Sequence, residues 1–274
     1  MNKENLLIDL KMNADYIFVR DVINTFAERY GVLSVNSIGE SILGKSIYCL
    51  TLGDPCASNE IVYVGALSAD DWITTLMLLR FVNEYCEYSK SGVTVFGTKF
   101  SKIYNNCLIH VIPQLNPDGV DIRLNGFDKG SVLYERMSRT GIESINWIGN
   151  AKGCDLTSNF FEDIHYACEA ESGALMNYIK YNPMKSVISF SMGDGEIVAP
   201  QNNIKLGYIQ KILGYDTRIC NMQGTLADWS AKNERIFSCE IKCKTPSNKN
   251  NFSQYYKSYV DIRQMLFLYA GVIN

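Results

Sequence analysis

Glu60-Ile61-Val62-Tyr63-Val64-Gly65-Ala66-Leu67 runs without a break into Ser68-Ala69-Asp70-Asp71-Trp72-Ile73-Thr74-Thr75, and this junction decides the fold. The first half is a short run rich in β-branched and apolar residues and reads as a strand. The second half reads as a turn that opens a helix over 73–85. Working outward, a β-type run at 46–52 precedes the junction and another at 107–113 follows it. Residues 14–30 carry Ile17, Val22, Ile23 and Phe26 at mostly helical spacing, and Gly31 is a C-terminal stop. Downstream, a helix is expected over 163–181, strands over 186–190 and 235–242, and a closing helix from about Ser253 with Tyr256, Tyr259, Ile262 and Leu266 on it. Strand and helix alternate, which predicts an α/β sandwich. Asn116-Pro117-Asp118-Gly119 reads as a sharp turn after the third strand. Residues 123–150 are polar and aperiodic and read as a long surface loop, a feature that is often functional in a compact domain.

With 274 residues and 47% hydrophobic content, the chain can bury a large core, and it is expected to form one domain over 1–274. A net charge of -3 and the lack of any run of Lys or Arg exclude nucleic acid as a partner class. No segment approaches the roughly 20 apolar residues of a membrane span and the N-terminus has no secretion-type apolar run, so a soluble, cytoplasmic protein with no membrane partner is expected. The nine cysteines are odd in number and none has Cys-x-x-Cys spacing, which fits free thiols in a reducing compartment. Cys49, Cys107 and Cys239 sit in apolar runs as small hydrophobes.

Five ordered landmarks span most of the chain: Gly39-Glu40-Ser41 with Gly44 and Ile47, Trp72-Ile73-Thr74, Asn116-Pro117-Asp118-Gly119, Gly153-Cys154-Asp155-Leu156 and Phe237-Ser238-Cys239-Glu240. Together they resemble the zinc metallocarboxypeptidases, with the flavour of the bacterial branch that includes γ-D-glutamyl-diamino-acid peptidases of cell-wall peptides. The resemblance implies a three-layer sandwich with a mixed central sheet and helices on both faces. It also implies a zinc ion on a His, a Glu and a second His, with water in the open position. In this chain the position of the first His is Ser68, that of the Glu is Asp71, and that of the second His, in Ile188-Ser189-Phe190-Ser191, is Ser191. A serine hydroxyl stays protonated near neutral pH and is a poor zinc ligand. The Asn-Arg pair that holds a substrate carboxylate in the family is here Thr157 and Ser158, and an Arg fork is what suits a carboxylate. Glu240 alone keeps its place, that of the general base. Its bland alternative is an ion pair with Lys242, two residues on along the same strand face.

The two histidines offer no replacement. His110 lies in an apolar strand and reads as a buried, hydrogen-bonded core residue. His165, with Cys168 three residues on, reads as packing. Arg123, Arg136 and Arg139 in the long loop read as solvated surface charge.

Three readings stay open. The leading one is a catalytically silent member of the family, a pseudoenzyme without zinc, that keeps a groove for a peptide or muropeptide. The second is an active hydrolase holding a hard cation on Asp70, Asp71, Glu240, Ser68 and Ser191, since such ions prefer oxygen. The third is a scaffold or interaction protein with no pocket ligand.

Overall fold

The computed structural model describes residues 8–162, 168–247 and 252–272. Helix α1 (Tyr16–Arg29) leads to β1 (Leu33–Glu40), β2 (Ser46–Leu52) and β3 (Asn59–Val64), and a 3-10 turn at Ala69–Asp71 passes into α2 (Trp72–Ser89). A small hairpin of β4 (Thr94–Val95) and β5 (Thr98–Lys99) precedes α3 (Phe100–Asn106) and β6 (Cys107–Ile112). Then come α4 (Pro117–Asn125), α5 (Val132–Thr140), α6 (Ala170–Tyr181), β7 (Met184–Gly193), β8 (Glu196–Ala199) and α7 (Ile204–Leu213). The described chain closes with β9 (Asp216–Ile219), α8 (Leu226–Asn233), β10 (Phe237–Lys244) and α9 (Phe252–Val272).

Among the described residues, one eight-stranded sheet has the order β1-β2-β6-β3-β7-β10-β8-β9. The four central strands β6, β3, β7 and β10 run parallel, while β1, β2 and β8 pair antiparallel to their inner neighbours. The expected three-layer sandwich with a mixed sheet is therefore present. Alternate side chains of the central strands enter two cores. Ile61, Tyr63, Ile109 and Val111 pack in the layer of α1, α2 and α9. Val62, Val64 and Ile112 pack with Leu175, Ile179 and Trp229 on the opposite face. Burial on both faces is why these strands are nearly continuous apolar runs rather than alternating ones.

His110 is buried on β6. Its Nδ1 lies 2.7 Å from the Tyr178 hydroxyl and its Nε2 3.1 Å from Glu60 Oε2. Burial lowers its pKa, and the neighbouring Glu60 acts against that. His165 lies outside the described residues.

Several expectations are corrected. Asn116-Pro117-Asp118-Gly119 is the start of α4 rather than a free turn: Asn116 Oδ1 accepts from Gly119 N at 2.9 Å and Pro117 occupies the first helical turn. An N-cap Asn followed by Pro is a helix-start signature, and it outranks the turn preference of the same residues. The stretch 123–150 is not one loop, because it holds the end of α4, all of α5 and a 3-10 turn at Ser144–Asn146. The helix expected over 163–181 runs over Ala170–Tyr181, and 163–167 lie outside the described residues. Strands β1, β8 and β9 have no strong apolar alternation; β1 and β9 are largely half-exposed or exposed, and edge position explains their weak signal. Among the described residues no helix is long and apolar enough to cross a membrane.

Asn116 also donates from Nδ2 to the carbonyls of Leu67 at 3.1 Å and Gly149 at 3.2 Å, tying α4 to two segments beside the cleft described below. Asn116→Ala is expected to cost about 2 kcal/mol, combining a lost cap with two stranded buried carbonyls. Denaturant unfolding checks this, and a loss below about 0.5 kcal/mol would mean the three bonds are replaced by water.

Candidate functional site

The carboxyl ends of β3, β7 and β10 open onto a cleft of about 330 Å³. Ser68, Asp71, Thr157, Ser158, Ser191 and Glu240 all line it, although they come from four separate parts of the chain. Parallel strands end at the same edge of a sheet, so residues following β3 and residues late in β7 and β10 meet there.

Ser68 caps the 3-10 turn after β3, its Oγ accepting from Asp70 N at 3.3 Å. The same turn is held from outside, since Ala69 N donates to Ile148 O at 2.9 Å. Asp71 then stands at the head of α2, and its Oδ1 accepts from Met192 N at 2.7 Å, which pins the turn to the end of β7. Only 7% of Asp71 is exposed, and burial pushes its carboxyl up to about 7. The Met192 N–H opposes that rise, the negative charges of Asp70 and Glu240 reinforce it, and Arg123 opposes it. Asp70, also on the cleft wall, forms an ion pair with Arg123.

On β10, Cys239 and Ile241 point into the core while Glu240 and Lys242 point to the cleft, as the period of two requires. Glu240 Oε1 accepts from Ser191 Oγ at 2.5 Å. The ion pair considered between Glu240 and Lys242 is not formed: among the described residues, the bond to Glu240 comes from Ser191 on the neighbouring strand. Thr157 is turned inward to Asp155, with Oγ1 donating to Asp155 Oδ1 at 2.8 Å. Ser158 lies on the same 3-10 turn with its side chain exposed, and its backbone carbonyl lies against Gly224 of the 220–225 segment. Gly224 there has φ +83°, and a Cβ on it would meet Ser158 O at 2.8 Å and Phe161 Cζ at 2.5 Å, so only glycine permits this approach.

Arg123 is not surface charge. Its side chain is 9% exposed and bridges Asp70 to the Trp147 carbonyl, to which Nη1 donates at 2.9 Å. Arg139 is exposed on α5, and the side chain of Arg136 lies outside the described residues. Sequence reading missed the cleft residues Ile148, Cys220 and Met222, and named Lys242 only as a partner for Glu240. The helix start at Asn116-Pro117 would have placed Arg123 on α4, whereas no local pattern marks Ile148, Cys220 or Met222.

A mixed sheet with a cleft at the ends of its parallel strands defines an α/β protein whose cleft lies at the edge where ligand sites of open α/β sheets tend to lie. The particular kind follows from comparison with known proteins: the chain belongs to the zinc carboxypeptidase family, whose model matches residues 19–206. It is 29% identical over 157 residues to gamma-D-glutamyl-L-diamino acid endopeptidase 1 of Lysinibacillus sphaericus, covering 56% of this chain and 39% of that one. It is 27% identical over 201 residues to the uncharacterized protein YqgT of Bacillus subtilis, covering 65% and 54%. The chain thus spans about half or less of the length of these curated relatives. Among solved structures, bovine thrombin-activatable fibrinolysis inhibitor in complex with tick carboxypeptidase inhibitor matches with a TM-score of 0.71 at 14% identity, covering 95% and 97% of the two chains. The murein-tripeptide amidase MpaA of Escherichia coli O157 matches with a TM-score of 0.54 at 16% identity, covering 85% and 91%. At such identities the likeness concerns the fold.

Proposed function

We propose that this protein is a zinc carboxypeptidase-family member that binds a peptide or cell-wall peptide in its cleft and does not hydrolyse it with zinc. The donor set carries this reading. Family zinc needs two imidazoles and a carboxylate; the corresponding positions here offer two hydroxyls and one shorter carboxylate. Each is also engaged elsewhere: Ser68 Oγ caps Asp70 N, Asp71 Oδ1 holds Met192 N and Ser191 Oγ is directed to Glu240. These residues do not fit zinc. Glu240 is then a general-base position without an activated water, and Thr157 and Ser158 supply no guanidinium for a ligand carboxylate.

The ligand class is supported by the printed activities of two relatives, a γ-D-glutamyl-diamino-acid endopeptidase and a murein-tripeptide amidase. Location in a reducing, cytoplasmic compartment is supported by nine unpaired cysteines. The oxygen-rich wall of Asp71, Glu240, Ser68 and Ser191 favours a second reading, a hydrolase using Mg²⁺ or Ca²⁺.

The test is metal content and turnover on the same purified sample. After incubation with zinc and desalting, inductively coupled plasma mass spectrometry is expected to find far less than one zinc per chain, and hydrolysis of a cell-wall tripeptide is expected to stay at the level of Glu240→Ala. Stoichiometric zinc with zinc-dependent turnover overturns the proposal. A rise in melting temperature with Mg²⁺ or Ca²⁺, accompanied by turnover, selects the second reading.

A further inference from the structure

Two carboxyl oxygens face the cleft without a protein partner. Asp71 is hydrogen-bonded through Oδ1 to Met192 N, and its Oδ2 has no hydrogen bond among the described residues. Glu240 takes the Ser191 hydroxyl on Oε1, and its Oε2 likewise has none among the described residues. A carboxylate as buried as Asp71 is costly to keep ionised unless a cation or several donors complete its shell.

The cleft wall says which kind of cation. Its lining holds three carboxylates, Asp70, Asp71 and Glu240, against one ammonium, Lys242. The charge of Asp70 is taken by Arg123, which leaves Asp71 and Glu240 to the ligand. Around them are aliphatic and thioether surfaces from Ile148, Val198 and Met222. An anionic terminus finds repulsion here, since the Arg123 guanidinium is already committed to Asp70 and Trp147 O and that of Arg218 to Glu196. A hard divalent ion needs six or more oxygen ligands, most of which would have to be water here, since the wall offers two free carboxyl oxygens and two hydroxyls already engaged. A primary ammonium needs only three acceptors, and its aliphatic stem suits the apolar lining.

We propose that the cleft binds a primary ammonium on an aliphatic stem, such as a lysine-type side chain of a peptide, with its charge between Asp71 Oδ2 and Glu240 Oε2. The organic cation takes the position that the family gives to its metal, so the ligand charge read at that point passes from a bound ion to the ligand itself. This inference rests on the reading of the cleft as a metal-free peptide site. Ser68, at the edge of the same turn, offers the third acceptor through the second lone pair of its hydroxyl, the first being taken by Asp70 N.

Calorimetric titration of the full chain at pH 8 tests it with three probes: Nα-acetyl-lysine N-methylamide, its uncharged analogue Nα-acetyl-norleucine N-methylamide, which lacks the ammonium, and Nα-acetyl-alanine with a free carboxylate. The lysine amide is expected to bind about tenfold or more tightly than the norleucine amide, as one charge-assisted hydrogen bond would give. The preference should weaken as salt is raised and fall to about twofold in Asp71→Asn and in Glu240→Gln. Glu240→Gln alters a half-exposed side chain and serves if Asp71→Asn proves poorly folded. Equal affinity for the two amides, a preference that survives Glu240→Gln, tighter binding of the free carboxylate or no binding of any probe overturns the inference. Zinc content measured on the same samples separates the two claims. Stoichiometric zinc means that the metal-free reading has failed, whereas no zinc and no ammonium preference means that only this inference has failed.

Discussion

The triple variant Ser68→His/Asp71→Glu/Ser191→His is expected to retain about one zinc per chain after desalting, where the unaltered protein retains far less. The three positions are brought together by bonds already in place. Ser68 and Asp71 bracket a single 3-10 turn, and Asp71 reaches the backbone of Met192, the residue directly after Ser191. Replacing the two hydroxyls with imidazoles supplies neutral nitrogen donors, and Glu adds the methylene that Asp71 lacks. Ser191→His also frees Glu240 Oε1 from its present hydrogen bond. Because zinc would bind the folded chain alone, a chelator should lower the melting temperature of the triple variant and leave that of the unaltered protein in place. Metal analysis and thermal unfolding check both statements. A folded triple variant that holds no more zinc than the unaltered chain would show that these positions do not form a metal site, and the proposed loss of function would lose its basis.

Asp71→Asn is expected to stabilise the protein at pH 8 by on the order of 3 kcal/mol and to change little near pH 4. The folded-state carboxyl titrates at about 7 because it is buried, whereas an unfolded Asp titrates at about 3.9. Between these values the folded state holds a proton that the unfolded state has released. Stability therefore falls as pH rises through that window, at up to about 1.4 kcal/mol per pH unit, and the penalty stays constant above it. Below about pH 3.9 both states are protonated and the cost vanishes. Asparagine keeps an acceptor for Met192 N and never ionises, so it escapes the penalty. Titrating groups far from the cleft contribute to both proteins alike, so the difference between the two stability curves reports Asp71 together with its coupling to Asp70, Glu240 and Arg123. Urea unfolding at pH 4, 6 and 8 measures it. A gap that does not widen with pH would mean that the Asp71 carboxyl is ionised at little cost, with water or a bound cation completing its shell. The same substitution should weaken ammonium binding while it strengthens the fold, the usual opposition between stability and a strained site.

The strand–turn–helix passage through 60–75 and the apolar runs at 46–52 and 107–113 were enough to specify an α/β sandwich, because strands buried on both faces must be apolar throughout. The side chains proposed to stand in the family's ligand positions, at 68, 71 and 191, were likewise legible, since a side chain's ligating chemistry belongs to the residue itself. Edge strands β1 and β9 were not legible, because a strand largely exposed along its length leaves little apolar pattern. The beginning of α4 was written in Asn116-Pro117 but competes with a turn that uses the same residues. Only the tertiary structure decided that Arg123 is buried against Asp70, that Ser191 rather than Lys242 bonds Glu240, and that Ile148 and Met222 wall the cleft. The sequence by itself determined which chemical groups this protein owns and which layers they fold into. Their protonation, pairing and access to a ligand were set by neighbours from distant segments, because electrostatic cost and hydrogen bonding depend on what lies within a few ångströms in space rather than along the chain.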